Sequence, residues 1–202
     1  MGYNVITIAR TLGAGGEELG KTLAEEFDMR YVDREIIDRA AQLAGVSAGE
    51  VAQAEARKGL VQRIFENLAR SGGGFGEFPP ATVLTEMPDY EQLIVDVIRE
   101  TAAAGNAVIV AHGAAIPLAR TEGTLRILVT ASPETRTARL AGEAHGELRA
   151  KKMVEESDAA RADFFKRFYN LASEQPTHYD LVINTDHLSK DEAASLVRVL
   201  LK

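Results

Sequence analysis

Four small residues, Gly13-Ala14-Gly15-Gly16, stand between a short apolar run and an amphipathic segment. The run Val5–Ile8 predicts a buried strand, and Leu19, Leu23 and Phe27 recur at the spacing of one helix face. A strand, a glycine loop and a helix in this order surround an anion with backbone N–H groups and with the positive end of the helix. A tight turn without a ligand is the alternative. Four small residues in a row exceed what a turn requires, so the segment favours a phosphate-binding loop.

The same segment also contains a literal match to the phosphate-loop signature G-x-x-x-x-G-K-[ST], running from Gly15 to Thr22. In that signature the lysine opens the helix. Here the apolar stripe that starts at Leu19 requires the helix to be under way by about residue 17. Lys21 would then lie about one turn inside the helix. We therefore interpret the literal match as accidental and place the loop at residues 10–17.

In this register Gly16 stands where the signature has its lysine, and Glu17 stands where it has the Ser or Thr that holds magnesium. Arg10 is the only cation of the loop. We expect Arg10 to supply the charge that the missing lysine would provide. We also expect the backbone N–H groups of residues 13–17 to bind the anion.

The elements that must position this loop follow from the remaining apolar patterns. Further runs predict strands at residues 29–32, 107–110, 125–129 and 180–183. Nearly continuous apolar strands are typical of a parallel sheet that is covered on both faces. Helical patterns lie between them: one at Leu93, Val97 and Thr101, one starting at Pro133, and a C-terminal one whose predicted inward stripe is Leu196, Val199 and Leu200. Strands that alternate with helices predict an α/β fold of three layers, helix–sheet–helix.

Composition restricts the function classes. A chain of 202 residues fits one domain, and a net charge of −7 argues against a protein that binds nucleic-acid backbone. The absence of cysteine excludes disulfides, thiolate metal sites and a cysteine nucleophile. His145, His178 and His187 show no metal-ligand spacing, so no metal site made by protein side chains is predicted. No apolar run is long enough for a bilayer and no signal-peptide pattern is present, so a cytoplasmic location without membrane partners is expected.

Three segments in order resemble a known family: Ile6–Glu17 (ITIARTLGAGGE), Tyr31–Ile37 (YVDREII) and Tyr179–Thr185 (YDLVINT). They are similar to the cytidylate-kinase-like proteins, a branch related to bacterial cytidylate kinase within the P-loop nucleoside monophosphate kinases. The resemblance covers nearly the whole chain.

The resemblance implies a P-loop kinase fold with a five-stranded parallel sheet and a helical lid. It implies one domain over residues 1–202, with an acceptor-binding helical region at about 33–104 and a lid at about 140–175. The implied reaction is ATP-dependent phosphoryl transfer to a small acceptor, with a nucleoside monophosphate such as CMP as the expected acceptor. ATP and Mg²⁺ are the implied cofactors, and the nucleotide and its acceptor are the implied partners.

The resemblance also implies roles for individual residues. The predicted catalytic residues are Arg10, Arg161 and Arg167, and the predicted cofactor-binding residues are Gly13, Ala14, Gly15, Gly16 and Glu17. The predicted substrate-binding residues are Asp33, Arg39, Arg136 and Asp158. His112 is added to them because it lies just past the end of the strand predicted at residues 107–110, where ligand sites form in α/β folds. Arginine suits such a site because its planar, permanently charged fork holds two phosphate oxygens. The charged segment around Glu143–Glu156 has few apolar anchors, so we expect Arg161 and Arg167 to belong to a mobile lid.

Structural explanations stand beside these roles. Asp158–Arg161 and Asp163–Arg167 have the spacing of ion pairs along one helix. Aspartate is also a favoured residue type at a helix N-cap, which is the alternative for Asp33. His112 could be a surface residue. At the level of function, Gly16 and Glu17 favour a second hypothesis, a nucleotide-binding regulatory protein that has lost catalysis. A third, weaker hypothesis is an acceptor that is not a nucleotide.

Overall fold

The computed structural model describes residues 2–33, 35–45, 47, 90–110, 113–142 and 146–201. The chain divides into two compact units. The first consists of Met1–Asp33 and Ile98–Lys202, and the second of Arg34–Val97. Among the described residues, no helix is both long and apolar enough to cross a membrane.

The first unit is built on a five-stranded sheet. Its strands are β1 (Val5–Arg10), β2 (Arg30–Val32), β3 (Ala107–Ile109), β4 (Thr124–Thr130) and β5 (Leu181–Asn184). They lie in the order β2-β3-β1-β4-β5, and every neighbouring pair is parallel. The α/β fold class and all five predicted strands are confirmed, with ends that differ from the prediction by at most two residues.

Six α-helices occur in the described residues: α1 (Gly16–Glu26), α2 (Glu35–Ala44), α3 (Tyr90–Ala104), α4 (Pro133–Leu140), α5 (Glu147–Tyr169) and α6 (Lys190–Leu201). A 3₁₀ turn spans Pro176–His178. Helix α2 belongs to the second unit, and α3 crosses the boundary between the units. Pro133 opens α4 as predicted, and the Ser132 hydroxyl caps it by accepting the Thr135 N–H at 3.2 Å.

Helices α1 and α6 cover one face of the sheet. Their buried residues pack with alternate residues of the strands, such as Ile6 and Ile127. The predicted inward stripe of α6 is wrong, because Leu196, Val199 and Leu200 are all exposed and Ala193, Ala194 and Val197 are buried instead. Alanines let α6 approach the sheet closely, and a pattern that weighs large apolar residues overlooks them.

The opposite face carries Ala9 of β1 and Leu128 of β4. These residues pack against Ala115 and against the buried ring of Tyr179. The cluster joins the central strand to the segment that precedes β5. It therefore places Tyr179 directly beneath the end of β1.

The strand order creates one crevice at the carboxyl ends of β1 and β4. The chain leaves β1 toward β2 on one side and leaves β4 toward β5 on the other. In parallel sheets, ligands bind where the connections diverge in this way. The loop after β1 starts at this crevice, where the Thr11 N–H donates to the Val129 carbonyl at 3.1 Å.

Asp186 links the loops that follow β4 and β5. Its Oδ1 accepts hydrogen bonds from the Ser132 N–H at 2.8 Å and from the Ser132 hydroxyl at 2.9 Å. Because hydrogen bonds from Ser132, above all from its N–H, favour the charged form, the pKa of Asp186 falls to about 2. The charged carboxylate thus secures the start of α4.

This shift predicts a specific dependence on pH. The pKa of Asp186 is lower in the folded than in the unfolded chain, so its contribution to stability is present above its ordinary pKa of 3.8. The contribution is lost as the pH falls toward the folded value. In thermal melts between about pH 6 and about pH 2, we expect the difference in Tm between the wild type and Asp186→Asn to shrink steadily. Glu155→Gln, at an exposed position of α5, is the matched control. A difference that stays constant over this range would contradict the assignment.

Candidate active site

The loop between β1 and α1 has the predicted register. Strand β1 ends at Arg10 and α1 begins at Gly16, so the helix is under way at residue 17. Lys21 lies in the second turn of α1, with its Nζ 6.0 Å from the centre of the Tyr31 ring. The predicted helix register is confirmed, because α1 is under way by residue 17 and Lys21 does not open it.

The glycines of the loop have conformations that other residues rarely adopt. Gly13 and Gly15 have φ angles of 80° and 84°, in the left-handed region. Gly15 precedes α1 without a side-chain cap, and the first N–H groups of a helix have no acceptor within the helix. A Cβ built on Gly15 meets no atom within 4 Å. The start of α1 is therefore an open cradle of N–H groups suited to an anion.

Gly16 is packed against the side chain of Arg10. A Cβ on Gly16 would lie 2.6 Å from Arg10 Cβ and 3.3 Å from Val129 Cβ. No side chain fits at position 16 while Arg10 lies in this place. The stem of Arg10 thus runs across the start of α1, where a lysine of the usual signature would emerge.

Arg10 forms an ion pair with Glu17 in the first turn of α1. Its Nε donates to Glu17 Oε1 at 2.9 Å, and its second terminal nitrogen contacts the same oxygen. The two side chains are 29% and 46% exposed, and exposed pairs contribute little to stability. Glu17 is therefore a carboxylate that an incoming anion could replace on Arg10.

Arg161 reaches the same place from α5. One terminal nitrogen donates to the Arg10 carbonyl at 2.9 Å. The Nε and the other terminal nitrogen donate to the two oxygens of Glu174 at 2.7 and 2.6 Å. The guanidinium also lies 4.9 Å from the centre of the Phe165 ring. The structure thus brings Arg10, Glu17 and Arg161 together at the end of β1.

Arg136 and Asp158 form a bidentate pair that joins α4 to α5. The two terminal nitrogens of Arg136 donate to the carboxylate oxygens at 2.9 and 2.7 Å, and its Nε donates to the Ala131 carbonyl at 3.0 Å. Arg136 is only 3% exposed, and a Cβ on Gly13 would lie 3.2 Å from its Cβ. Of these two predicted substrate residues, Arg136 packs directly against Gly13 of the phosphate loop, and Asp158 holds Arg136 in place. The alternative pairing of Asp158 with Arg161 is wrong, because each has a different partner.

Two residues that sequence reasoning left without a role also support the loop. Arg139 donates to the Gly13 carbonyl at 3.2 Å and to the Thr185 hydroxyl at 3.0 Å. The Thr185 hydroxyl in turn donates to the Ala14 carbonyl at 3.0 Å. Thr185 ends one of the segments that carry the family resemblance, but no spacing pattern indicates that α4 and the end of β5 meet at the loop.

The other predicted site residues have different surroundings. Arg167 pairs along α5 with Asp163 at 2.8 Å, so the helix-face ion pair is confirmed. Asp33 follows β2. The pKa of the Tyr31 phenol is raised, chiefly by burial and next by the negative charge of Asp33. Arg39 lies on an exposed part of α2 in the second unit. His112 lies outside the described residues.

Helix α5 falls within the predicted lid. Three of its residues are buried, Ala150, Val154 and Phe165. Val154 and Ala150 pack with Leu140 and contact Leu12 of the phosphate loop. Phe165 is buried in the core, whereas its aromatic neighbours Phe164 and Phe168 are half-buried and stack on each other. The movement of this segment stays a prediction.

Within the described residues, no group of three or more histidines, aspartates or glutamates is arranged to hold a metal ion. Glu17 and Glu18 are acidic side chains in the first turn of α1, and Glu17 is the one that pairs with Arg10 beside the cradle. Carboxylate oxygens are ligands that Mg²⁺ prefers. The donor chemistry at the loop is therefore compatible with a magnesium ion that arrives with a nucleotide.

Comparison with known proteins agrees with this architecture. The model of the cytidylate kinase-like family matches residues 5–187. A cytidylate kinase of Methanocorpusculum labreanum is 29% identical over 196 residues, which cover 95% of this chain and 93% of that protein. A cytidylate kinase of Azorhizobium caulinodans is 28% identical over 167 residues, which cover 81% of this chain and 78% of that protein.

Two solved structures share the fold. An uncharacterized protein from Eubacterium ventriosum has a TM-score of 0.68 at 18% identity, and the match covers 98% of this chain and 97% of that one. Shikimate kinase from Bacteroides thetaiotaomicron has a TM-score of 0.54 at 15% identity, with the same coverage. The fold is thus that of the P-loop kinases. With the family model spanning the sheet, the phosphate loop and the end of β5, the chain belongs to the cytidylate kinase-like family.

Proposed function

We propose that this protein transfers the γ-phosphoryl group of ATP to a nucleoside monophosphate, with CMP as the expected acceptor. The bond from the γ-phosphorus to the β–γ bridging oxygen breaks, and a bond to an oxygen of the acceptor phosphate forms. The products are ADP and a nucleoside diphosphate. The observation that carries the proposal is the open glycine cradle with two arginines, Arg10 and Arg161, at its entrance.

The loop supplies most of what such a reaction needs from a protein, namely position and positive charge. The N–H groups of residues 13–17 bind the phosphates at the start of α1. Arg10 leaves Glu17 and binds a phosphate oxygen, which replaces one oxyanion partner by another. Arg161 stands beside Arg10 and faces the same anion. In this arrangement Arg10 performs the task of the lysine that Gly16 has replaced.

Magnesium bound with ATP supplies further positive charge at the transferred group. Glu17, once released from Arg10, offers carboxylate oxygens at the edge of the cradle. Its position matches that of the Ser or Thr in the usual signature. Glu17, which pairs with Arg10 in this structure, is thereby proposed to face the metal when ATP is bound.

The acceptor contacts remain proposals. Asp33 and Arg39 are assigned to the acceptor by the family resemblance. Asp158 pairs with the buried Arg136, yet its side chain is 40% exposed and can still accept a hydrogen bond from a bound acceptor. Arg167 is proposed to act on the transferred phosphates, and His112 is proposed to contact the acceptor.

A second candidate function is nucleotide binding without turnover. It is favoured by Gly16, which removes the usual lysine, and by the ion pair that neutralises Arg10. A protein of this kind would bind ATP and act as a sensor or regulatory partner. The two functions differ only in phosphoryl transfer, so one pair of measurements separates them.

We expect ATP with Mg²⁺ to raise the Tm in a thermal-shift panel of nucleotides. A ligand at a hundred times its Kd stabilises a protein by about 2.7 kcal/mol, which gives a clear shift. A coupled assay for ADP should then show turnover with CMP above that with UMP, AMP, GMP or shikimate. Stabilisation by ATP without turnover on any acceptor would favour the regulatory alternative. No shift with any nucleotide would contradict both.

Arg10→Ala should weaken ATP binding about ten- to a hundredfold, because a hydrogen bond to a charged group contributes about 1.5–3 kcal/mol. Lys21→Ala is the matched control, since Lys21 lies inside α1, and it should bind ATP as the wild type does. Isothermal titration calorimetry measures both. Because Arg10→Ala also leaves the Glu17 charge unpaired, Arg10→Ala/Glu17→Gln must be measured beside it. An affinity for ATP that returns to the wild-type value in the double variant would show that Arg10 only neutralises Glu17.

A further inference from the structure

We propose that Glu174 is a positioning residue which, together with Tyr179, fixes the Arg161 guanidinium at the entrance of the phosphate loop. The inference deepens the proposed function and rests on it for one point, the action of Arg161 on the phosphates. No feature of the sequence motif around Asp158 and Arg161 points to Glu174, which lies thirteen residues beyond Arg161 and past the end of α5.

The hydrogen bonds of Arg161 define one orientation. A guanidinium has five N–H donors in a fixed plane. Three of them are used: two bind the two oxygens of Glu174 at 2.7 and 2.6 Å, and one binds the Arg10 carbonyl at 2.9 Å. The remaining two N–H groups take no part in these three hydrogen bonds. A carboxylate on one edge and a backbone carbonyl on another therefore leave the guanidinium little freedom to turn.

Glu174 is itself held in place. The Tyr179 hydroxyl donates to Glu174 Oε1. The Tyr179 ring is buried against Ala9 and Leu128, so it is anchored to the strands that end at the crevice. Burial, followed by the neighbouring carboxylate, raises the pKa of Tyr179, so the hydroxyl keeps its proton and remains a donor at neutral pH. The chain Ala9–Tyr179–Glu174–Arg161 thus leads from β1 back to the carbonyl of Arg10.

The backbone brings Glu174 to this position by a sharp reversal. Asn170 follows α5 with a φ angle of 52°, a left-handed conformation in which asparagine is one of the more tolerated residues. The Leu171 N–H then donates to the Phe165 carbonyl at 3.1 Å, which closes the end of the helix. The chain turns back beside α5, and Glu174 lies opposite Arg161.

The two arginine–glutamate pairs at the loop therefore differ in kind. Arg161 and Glu174 are 23% and 18% exposed, and further contacts hold both side chains. Arg10 and Glu17 are 29% and 46% exposed, and both carboxylate contacts go to one oxygen of Glu17. We therefore expect the Arg161–Glu174 pair to stay intact when an anion binds, and the Arg10–Glu17 pair to separate.

The test compares Glu174→Gln and Tyr179→Phe with Arg161→Ala. Glu174→Gln keeps the size of the side chain and removes the charge. We expect it to lower kcat about tenfold with little change in KM, as for an interaction that acts in the transition state. Tyr179→Phe should have a smaller effect of the same kind. Glu156→Gln, whose carboxylate pairs with Lys152 on the surface of α5, is the matched control and should leave kcat unchanged.

The double variant Arg161→Ala/Glu174→Gln shows whether Glu174 acts through Arg161. We expect its kcat to equal that of Arg161→Ala, because residues that act as a unit are not additive. Effects on kcat that multiply, or a loss of Tm with normal kcat in both Glu174→Gln and Tyr179→Phe, would overturn the proposal.

A second readout does not depend on turnover. The Nε–H signal of Arg161 in ¹H–¹⁵N spectra, assigned by its loss in Arg161→Ala, should be visible in the wild type and in Glu156→Gln. It should disappear by exchange in Glu174→Gln. An Nε–H signal that persists in Glu174→Gln would overturn the positioning role. A wild type without phosphoryl transfer whose Nε–H signal behaves as expected would overturn the proposed function and leave the positioning of the guanidinium established.

Discussion

The close packing of Gly16 against the Arg10 side chain determines how the phosphate loop is built. A Cβ at position 16 would stand 2.6 Å from Arg10 Cβ, so a lysine at the start of α1 and an arginine at the end of β1 exclude each other. The positive charge of the loop therefore comes from the strand and not from the helix. The position of the cation on β1 explains how a chain with no lysine at the start of α1 can still offer a positive charge to a phosphate.

Placing the cation on the strand has consequences for the rest of the site. The Arg10 side chain lies beside Glu17, and its carbonyl becomes a docking point for Arg161. The outer pair with Glu17 is exposed and can exchange partners, whereas Glu174 and Tyr179 hold Arg161 from the core side. Behind the loop, the carbonyls of Gly13 and Ala14 are fixed by Arg139 and Thr185. Several hydrogen bonds thus hold the back of the loop, whereas its mouth carries one exposed ion pair.

Local patterns were sufficient for much of this architecture. The apolar runs and the spacing of Leu19, Leu23 and Phe27 predicted the strands and the loop register, because both depend on neighbours along the chain. The same reasoning failed for α6, where small alanines face the sheet. It also paired Asp158 with Arg161, since helical spacing carries no information about Arg136 on another helix. Glu174, Arg139 and Thr185 were missed for the same reason: each acts across elements that are distant in sequence.

The structure of the protein with a non-hydrolysable ATP analogue and Mg²⁺ tests the central claim most directly. The account predicts that the phosphates contact the backbone N–H groups of residues 13–17. It also predicts that the Arg10 guanidinium has left Glu17 for a phosphate oxygen, while Arg161 remains on Glu174. Phosphates held by Lys21 and Thr22, or an Arg10 that still binds Glu17 beside an occupied cradle, would contradict it.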